Sequence, residues 1–377
     1  MGVKILHTSD WHVGRRIRGR DRSGEHRDVL SEIVDVASNH DVDLTLVAGD
    51  VFDSSSPTAG AEEIVWRSLL ELSEIAPVLV VAGNHDSAQR LDAVAPLLRM
   101  GRISVVGAPA KPDAGGVIHL PDLDVRAAML PFVSQRGIVK VADMMTADPD
   151  QHAGAYHDRL ARVVETLTAD MDDGTVNLLV SHLTVYGAET GGGERKAHIF
   201  GYAVPANVFP GHMSYVALGH LHRQQKIPHA GQVWYSGSPL QLDFGEVDDR
   251  KGVLLVEVEA GHPAKVTTIP LSSGKRLMTV KGTLEEVAGR AGQVSGAYVK
   301  VILREKGRVG LADEVRTLIP GAVDVVLESP EEAPRRQPDE RRTLSPTDAF
   351  HRYLEEKGQR DPKVEELFSE LLDEVSA

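Results

Sequence analysis

Five times along this sequence, an apolar, strand-like run ends directly in a short polar piece built from Asp, Asn and His. Residues 3–9 (VKILHTS) lead into Asp10-Trp11-His12, 43–48 (DLTLVA) into Gly49-Asp50, and 77–82 (PVLVVA) into Gly83-Asn84-His85-Asp86. Further on, 176–180 (VNLLV) lead into Ser181-His182, and 215–218 (YVAL) into Gly219-His220-Leu221-His222. Helical stretches separate the first strands: 27–39, with Val29, Leu30, Ile33, Val34 and Ala37 on one face, and 61–72. Alternating strand and helix specify an α/β layered sheet, and such folds carry their sites at the C-terminal edges of the strands. That rule brings five polar pieces, distant in sequence, to one edge.

Each piece alone is weak, since a lone Asp-x-His or strand-end His is ordinarily a turn or a satisfied structural residue. Together they form a donor set of imidazoles and carboxylates without thiolate, which suits Mn, Fe, Zn or Ni better than Ca or Mg. The chain has no cysteine, which excludes disulfides, thiolate catalysis and Cys-based metal sites. The chemistry such a set supports is phosphoester hydrolysis by two ions about 3.5–4 Å apart. A carboxylate can bridge the ions, and imidazoles and an amide oxygen complete the shells without excess negative charge. A His beside them, oriented by a carboxylate, would protonate or stabilise the leaving oxygen.

Length and charge bound the rest. At 377 residues the expectation is two domains with an appendage. The net charge of −14, from 41 basic and 55 acidic residues, argues against a DNA-coating protein but not against a nuclease with local phosphate contacts. No apolar run reaches the roughly 18 residues of a membrane span, and MGVKILHTSD carries no secretory apolar segment, so a cytoplasmic protein is expected.

The first domain is expected to cover 1–271, its segment 233–258 reading as short antiparallel strands, with a hinge at Ser272-Ser273-Gly274. A small α+β unit is expected over 275–328, where Thr283 and Glu286 form a capping-box signature. Residues 329–345, rich in Pro and charge, read as a linker. The tail, 346–377, reads as two amphipathic helices, one with Phe350, Tyr353 and Leu354 on a face, the other with Leu367, Phe368 and Leu371. Periodicity alone leaves docking on the same chain and docking on a partner equally open. Arg15, Arg16, Arg18, Arg20 and Arg22 crowd the loop after His12, and their position beside the ligand pieces favours phosphate contact. The glycines at 191–193 with Glu194, Arg195 and Lys196 do not form a phosphate-cradling loop and read as a mobile loop.

The ordered set Asp-x-His, Gly-Asp, Gly-Asn-His-Asp, His and Gly-His-x-His resembles the calcineurin-like metallophosphoesterase superfamily, whose fold is a layered β-sandwich flanked by helices. HTSDWHVG, GNHDSAQRL, ALGHLHRQQ and YSGSPLQLDFGE further resemble its SbcD nuclease subunit family. The resemblance implies one metal on Asp10, His12, Asp50 and His222 and a second on Asp50, Asn84, His182 and His220, with Mn²⁺ the expected ion. It implies a catalytic His85 oriented by Asp86. Asp53 stands where other branches carry a second catalytic His, and no role is assigned to it. His7 is expected to be buried near the site without binding metal. The resemblance also implies 3′–5′ exonuclease activity on duplex DNA, endonuclease activity on single strands or hairpins, and a homodimer working on the nucleoid with an SbcC-type coiled-coil ATPase. The small unit would cap the DNA and the tail helices would dock on the partner. A phosphodiesterase or phosphatase acting on small molecules or phosphoproteins is the enzymatic rival, and a metal-free scaffold the rival from another class.

Overall fold

The structure, a computed structural model, describes residues 2–134, 137, 138, 140, 141, 156–191, 203–328, 346–357 and 361–376. In chain order the elements begin β1 (Val3–Thr8), α1 (Ser23–Asn39), β2 (Leu44–Ala48), α2 (Ala59–Ile75), β3 (Val78–Val81), α3 (Ala88–Leu98) and β4 (Ile103–Val106). Next come β5 (Val117–Leu120), β6 (Val125–Leu130), α4 (Tyr156–Thr168), β7 (Val176–His182), β8 (Thr184–Val185) and β9 (Ala203–Val204). They are followed by β10 (Tyr215–Gly219), β11 (Gln225–Lys226), β12 (Val233–Tyr235), β13 (Gly252–Val258) and β14 (Lys265–Pro270). The chain then forms β15 (Leu277–Gly282), α5 (Leu284–Gly289), β16 (Tyr298–Leu303), α6 (Leu311–Leu318), β17 (Ala322–Leu327), α7 (Pro346–Lys357) and α8 (Pro362–Ser376).

Two six-stranded mixed sheets, ordered β14-β13-β1-β2-β3-β4 and β11-β12-β10-β7-β6-β5, stack face to face. Successive side chains on a strand point to opposite faces, so Ile5 and Leu46 enter the layer between the sheets, where Met129, Leu178 and Ala217 meet them. Their neighbours Leu6 and Val47 face outward under α1 and α2, against Val29, Ile33, Val65 and Leu69. On the opposite side, Leu160, Val163, Val164 and Leu167 of α4 cover Leu179 and Leu218. Both faces of the central strands are therefore buried, which is why they read as continuous apolar runs. The layered sandwich flanked by helices is the expected α/β architecture. One expectation is corrected: β12 runs parallel to β10, in a different sheet from β13, whereas its pairing with β11 and the pairings of β13 with β1 and β14 are antiparallel as expected.

Strands β15, β16 and β17 are all parallel, with α5 and α6 as crossovers, around Val280, Val287, Val299, Val301 and Val315. The small unit is thus a βαβαβ arrangement rather than one in which strands and helices segregate. Thr283 Oγ1 accepts from Glu286 N, and Glu286 Oε2 accepts from Thr283 N, completing the capping box. The unit packs on the sandwich. Leu277 buries against Ile17 and Phe244, its N–H donates to Gln241 Oε1 (2.7 Å), and Arg18 pairs with Asp324 (2.8 Å). The expected hinge is pinned: Ser272 N and Ser273 N donate to Glu32, and Lys275 N donates to Glu25, both on α1.

In the tail, Phe350 and Phe368 stack with ring centroids 3.8 Å apart. Leu354 is buried, whereas Tyr353, Leu367 and Leu371 are exposed. The expected face is therefore divided, with Phe350, Leu354 and Phe368 turned inward rather than outward. The linker expected at 329–345 and the loop residues 192–196 lie outside the described residues. Among the described residues no helix is long and apolar enough to cross a membrane.

Candidate metal centre

The C-terminal ends of β1, β2 and β3 meet those of β7 and β10. Backbone bonds lock the loops together, with Asp10 N donating to Gly49 O (2.9 Å) and His12 N to Asp50 O (3.0 Å). Asp10, His12, Asp50 and His220 all adopt positive φ (54°, 45°, 51° and 103°), a conformation that costs a non-glycine residue roughly 1 kcal/mol or more. Surrounding bonds hold that strain at the site. The two glycines of these loops permit the approach. A Cβ on Gly49 (φ +89) would lie 2.4 Å from His182 Nδ1, and one on Gly83 would lie 2.0 Å from Asp50 Oδ1.

Asp50 sits at the centre. Its Oδ2 is 3.4 Å from His12 Nε2 and 3.4 Å from His182 Nε2. Asn84 Oδ1 is 2.8 Å from His220 Nδ1 and 3.1 Å from His182 Nε2. Asp10 Oδ1 accepts from His220 N (3.0 Å), and the His12 ring lies 5.0 Å from the His222 ring. Donor atoms of Asp10, His12 and His222 fall within 4.8 Å of one another, as do those of Asp50, His182 and His220, and those of His12, Asp50 and His85. All seven expected ligands and His85 are thus brought together.

Hydrogen bonds fix which imidazole nitrogen faces the pocket, because a carbonyl or carboxylate can only accept. His182 Nδ1 donates to Ala48 O (2.8 Å), His222 Nδ1 to Glu246 Oε1 (2.8 Å) and His85 Nδ1 to Asp53 O (3.0 Å). Burial opposes charge on His182, but the Asp50 carboxylate outweighs it and raises the imidazole pKa to about 9. His220 is pushed down to about 3 by burial and by its neighbour His182. Burial would raise the Asp50 carboxyl, yet His182 holds it well below the usual range. His182 and Asp50 thus favour opposite charges on each other, while burial lowers the pKa of His12 as it does that of His220, which keeps those two imidazoles neutral with a lone pair to offer.

A cation fits the donors. Both ring nitrogens of His12 are buried and make no hydrogen bond, with carboxylate oxygens of Asp50 and Asp53 standing off at 3.4 Å. The 3.4 Å between His12 Nε2 and Asp50 Oδ2 is longer than an ordinary N–H···O bond and within the span of two ligands on one ion, each about 2.1 Å from it.

Asp86 requires correction. Its carboxylate accepts from the backbone N–H groups of Val51, Phe52 and Gly83 and does not orient His85. Burial, reinforced by the Asp50 charge, raises its pKa to about 6. The orienting group is the Asp53 carbonyl, and the Asp53 side chain also pairs with Arg15 (3.2 Å). Arg22 is likewise corrected. It is buried, bound to Glu25 (2.9 Å) and Gln241 O (2.6 Å), and lies over the Tyr298 ring. Arg16 and Arg20 are exposed, and Arg20 lines a cleft of about 360 Å³ with Lys275 and Tyr298. His7 is fully buried, with Nδ1 2.8 Å from the Tyr215 hydroxyl. Beyond Asp53, sequence reasoning also missed Glu246, which lies 24 positions from His222 with only the resembling segment YSGSPLQLDFGE as a signal.

Comparison with known proteins places the site in a family. The calcineurin-like phosphoesterase model matches residues 3–224, and a C-terminal model described as "Type 5 capsule protein repressor C-terminal domain" matches 273–358. The SbcD subunit of nuclease SbcCD from Bacillus subtilis is 31% identical over 98% of this chain and 97% of its own length. The corresponding SbcD protein of Rhodobacter capsulatus is 32% identical over 87% of this chain and 85% of its own. That of Escherichia coli K12 is 31% identical over 77% and 74%. The pocket shared by two sheets, with these matches around it, makes the chain a member of the calcineurin-like phosphoesterase family, in its SbcD nuclease branch.

Proposed function

We propose that this chain is the nuclease subunit of an SbcCD-type complex, hydrolysing DNA phosphodiester bonds with two divalent cations, Mn²⁺ the preferred ion. The observation that carries the reading is the single Asp50 oxygen equidistant from donors of two separate groups. One cation would rest on Asp10, His12, Asp50 and His222, the other on Asp50, Asn84, His182 and His220. When bound, such ions activate water and offset charge on the phosphoryl oxygens. His85, its Nδ1 proton committed to the Asp53 carbonyl, presents Nε2 to the pocket beside His12, placed to serve the leaving oxygen. Activity on duplex ends (3′–5′) and on single strands or hairpins belongs to the same proposal.

The remaining assignments follow from surfaces. Exposed Arg16 and Arg20, with Arg15 and Arg18 beside them, would meet DNA phosphates, and the unit 275–328 would cap the substrate above the sandwich of 1–271. Leu70, Leu97 and Met100, on and just after α2 and α3, are exposed apolar side chains that a homodimer would bury. Tyr353, Leu367 and Leu371 of the tail helices 346–377 would dock on a coiled-coil ATPase partner.

The test is release of nucleotides from end-labelled duplex DNA with Mn²⁺, with and without the ATPase. Loss of release in both Asp50→Ala and His85→Ala supports the reading. Hydrolysis of small phosphodiesters with no action on DNA under any condition would overturn it in favour of a small-substrate phosphodiesterase.

A further inference from the structure

The two donor groups differ in how His182 of one and His222 of the other are held. His182 is oriented by a backbone carbonyl, Ala48 O, which no substitution removes. His222 depends on a side chain: its Nδ1 donates to Glu246 Oε1 at 2.8 Å. Glu246 is fully buried, and its second oxygen accepts from Leu242 N (3.0 Å) and Lys251 Nζ (2.8 Å). Lys251, only 8% exposed, also donates to the backbone carbonyl of His222 (3.0 Å) and to Ser238 Oγ (2.9 Å). One ammonium group thus grips His222 at both ends, directly at its carbonyl and through Glu246 at its ring.

A buried ion pair is weak evidence for stability, because desolvating two charges offsets most of their attraction. This pair has a more specific consequence. The carboxylate forces the proton onto Nδ1 and leaves the Nε2 lone pair for the pocket, while Lys251 cancels its charge. We propose that Glu246, clamped by Lys251, is the positioning residue that fixes the tautomer and direction of His222, so that one of the two cation positions alone depends on it. The inference rests on the reading of His222 as a ligand.

The test is calorimetric titration of the full-length, metal-stripped chain with MnCl₂, followed by electron paramagnetic resonance of the bound ions and a melting curve of each variant. Wild type is expected to take two Mn²⁺ with an exchange-coupled signal. Glu246→Ala should keep one site at wild-type affinity, weaken the other 10–100-fold, and show an isolated-ion spectrum at one equivalent. Glu246→Gln, whose amide oxygen can still accept from Nδ1, should lose less. Two sites at wild-type affinity in Glu246→Ala, or equal weakening of both, overturn the proposal. If Glu246→Ala has no folding transition, Glu246→Leu, which fills the same space without an acceptor, decides: one site weakened supports the proposal, two intact overturn it. A wild-type chain that does not bind two Mn²⁺ overturns the metal reading beneath it.

Discussion

The Nδ1 proton of His85 is held by the backbone carbonyl of Asp53, 3.0 Å away, and not by the carboxylate of its neighbour Asp86. The Asp86 carboxylate instead staples the backbone of three residues, two after Asp50 and one before Asn84. Two roles that adjacency in sequence would merge are therefore separable.

Asp86→Ala should act on stability first. It leaves three buried N–H donors without their acceptor, a loss of about 3 kcal/mol or more. Denaturant unfolding should show this directly. In contrast, Asp53→Ala keeps the carbonyl that orients His85 and should leave the rate at saturating Mn²⁺ within about tenfold of wild type. A larger loss would mean that the Asp53 side chain acts in the chemistry.

Gly83→Ala tests the approach of the loops. Its Cβ would sit 2.0 Å from Asp50 Oδ1, so the carboxylate must move by an ångström or more. Misplacement on that scale costs about 100-fold in rate. Nuclease assays should show this while circular dichroism stays that of the wild type.

The basic loop divides by burial. Arg22→Ala removes one partner of a buried pair and should destabilise by about 3–5 kcal/mol. Arg16→Glu with Arg20→Glu should leave the melting temperature alone, weaken DNA binding and lower its salt slope by about 0.9 for each phosphate no longer neutralised. Unchanged DNA affinity and slope in that double variant would remove the loop from the interface.

The attachment of the small unit should depend on pH. Burial pushes the Glu32 carboxyl up, but the N–H groups of Ser272 and Ser273 outweigh it and hold its pKa below the ordinary glutamate value. A folded-state pKa below the unfolded one means stability that is present above the unfolded value and lost as pH falls through the folded one. Wild type should exceed Glu32→Gln by about 1 kcal/mol at neutral pH, discounted for partial exposure. Unfolding curves from pH 7 downward should show the difference closing below the ordinary glutamate pKa, and a constant difference would contradict the assignment.

Much of the fold and the site was legible because strands buried on both faces announce themselves as apolar runs, and the ligand residues follow them directly. What escaped notice did so for physical reasons. The Asp53 contribution is a carbonyl, which every residue has, so side-chain identity carries no signal. Glu246 sits in an acidic turn, where a buried partner to His222 looks like any solvated carboxylate. Arg22 shares its composition with the loop arginines and differs only in facing inward at the start of α1. Two-residue strands such as Gln225–Lys226 have no periodicity to read. The pairing of β12 with β10 is a long-range choice that local pattern does not encode.

The central claim is that Asp50 is shared by two cations. Anomalous diffraction at the manganese edge, from crystals of the full chain soaked in MnCl₂, tests it most directly. The account predicts two peaks about 3.5–4 Å apart on either side of Asp50. One peak, or peaks away from Asp50, would contradict it.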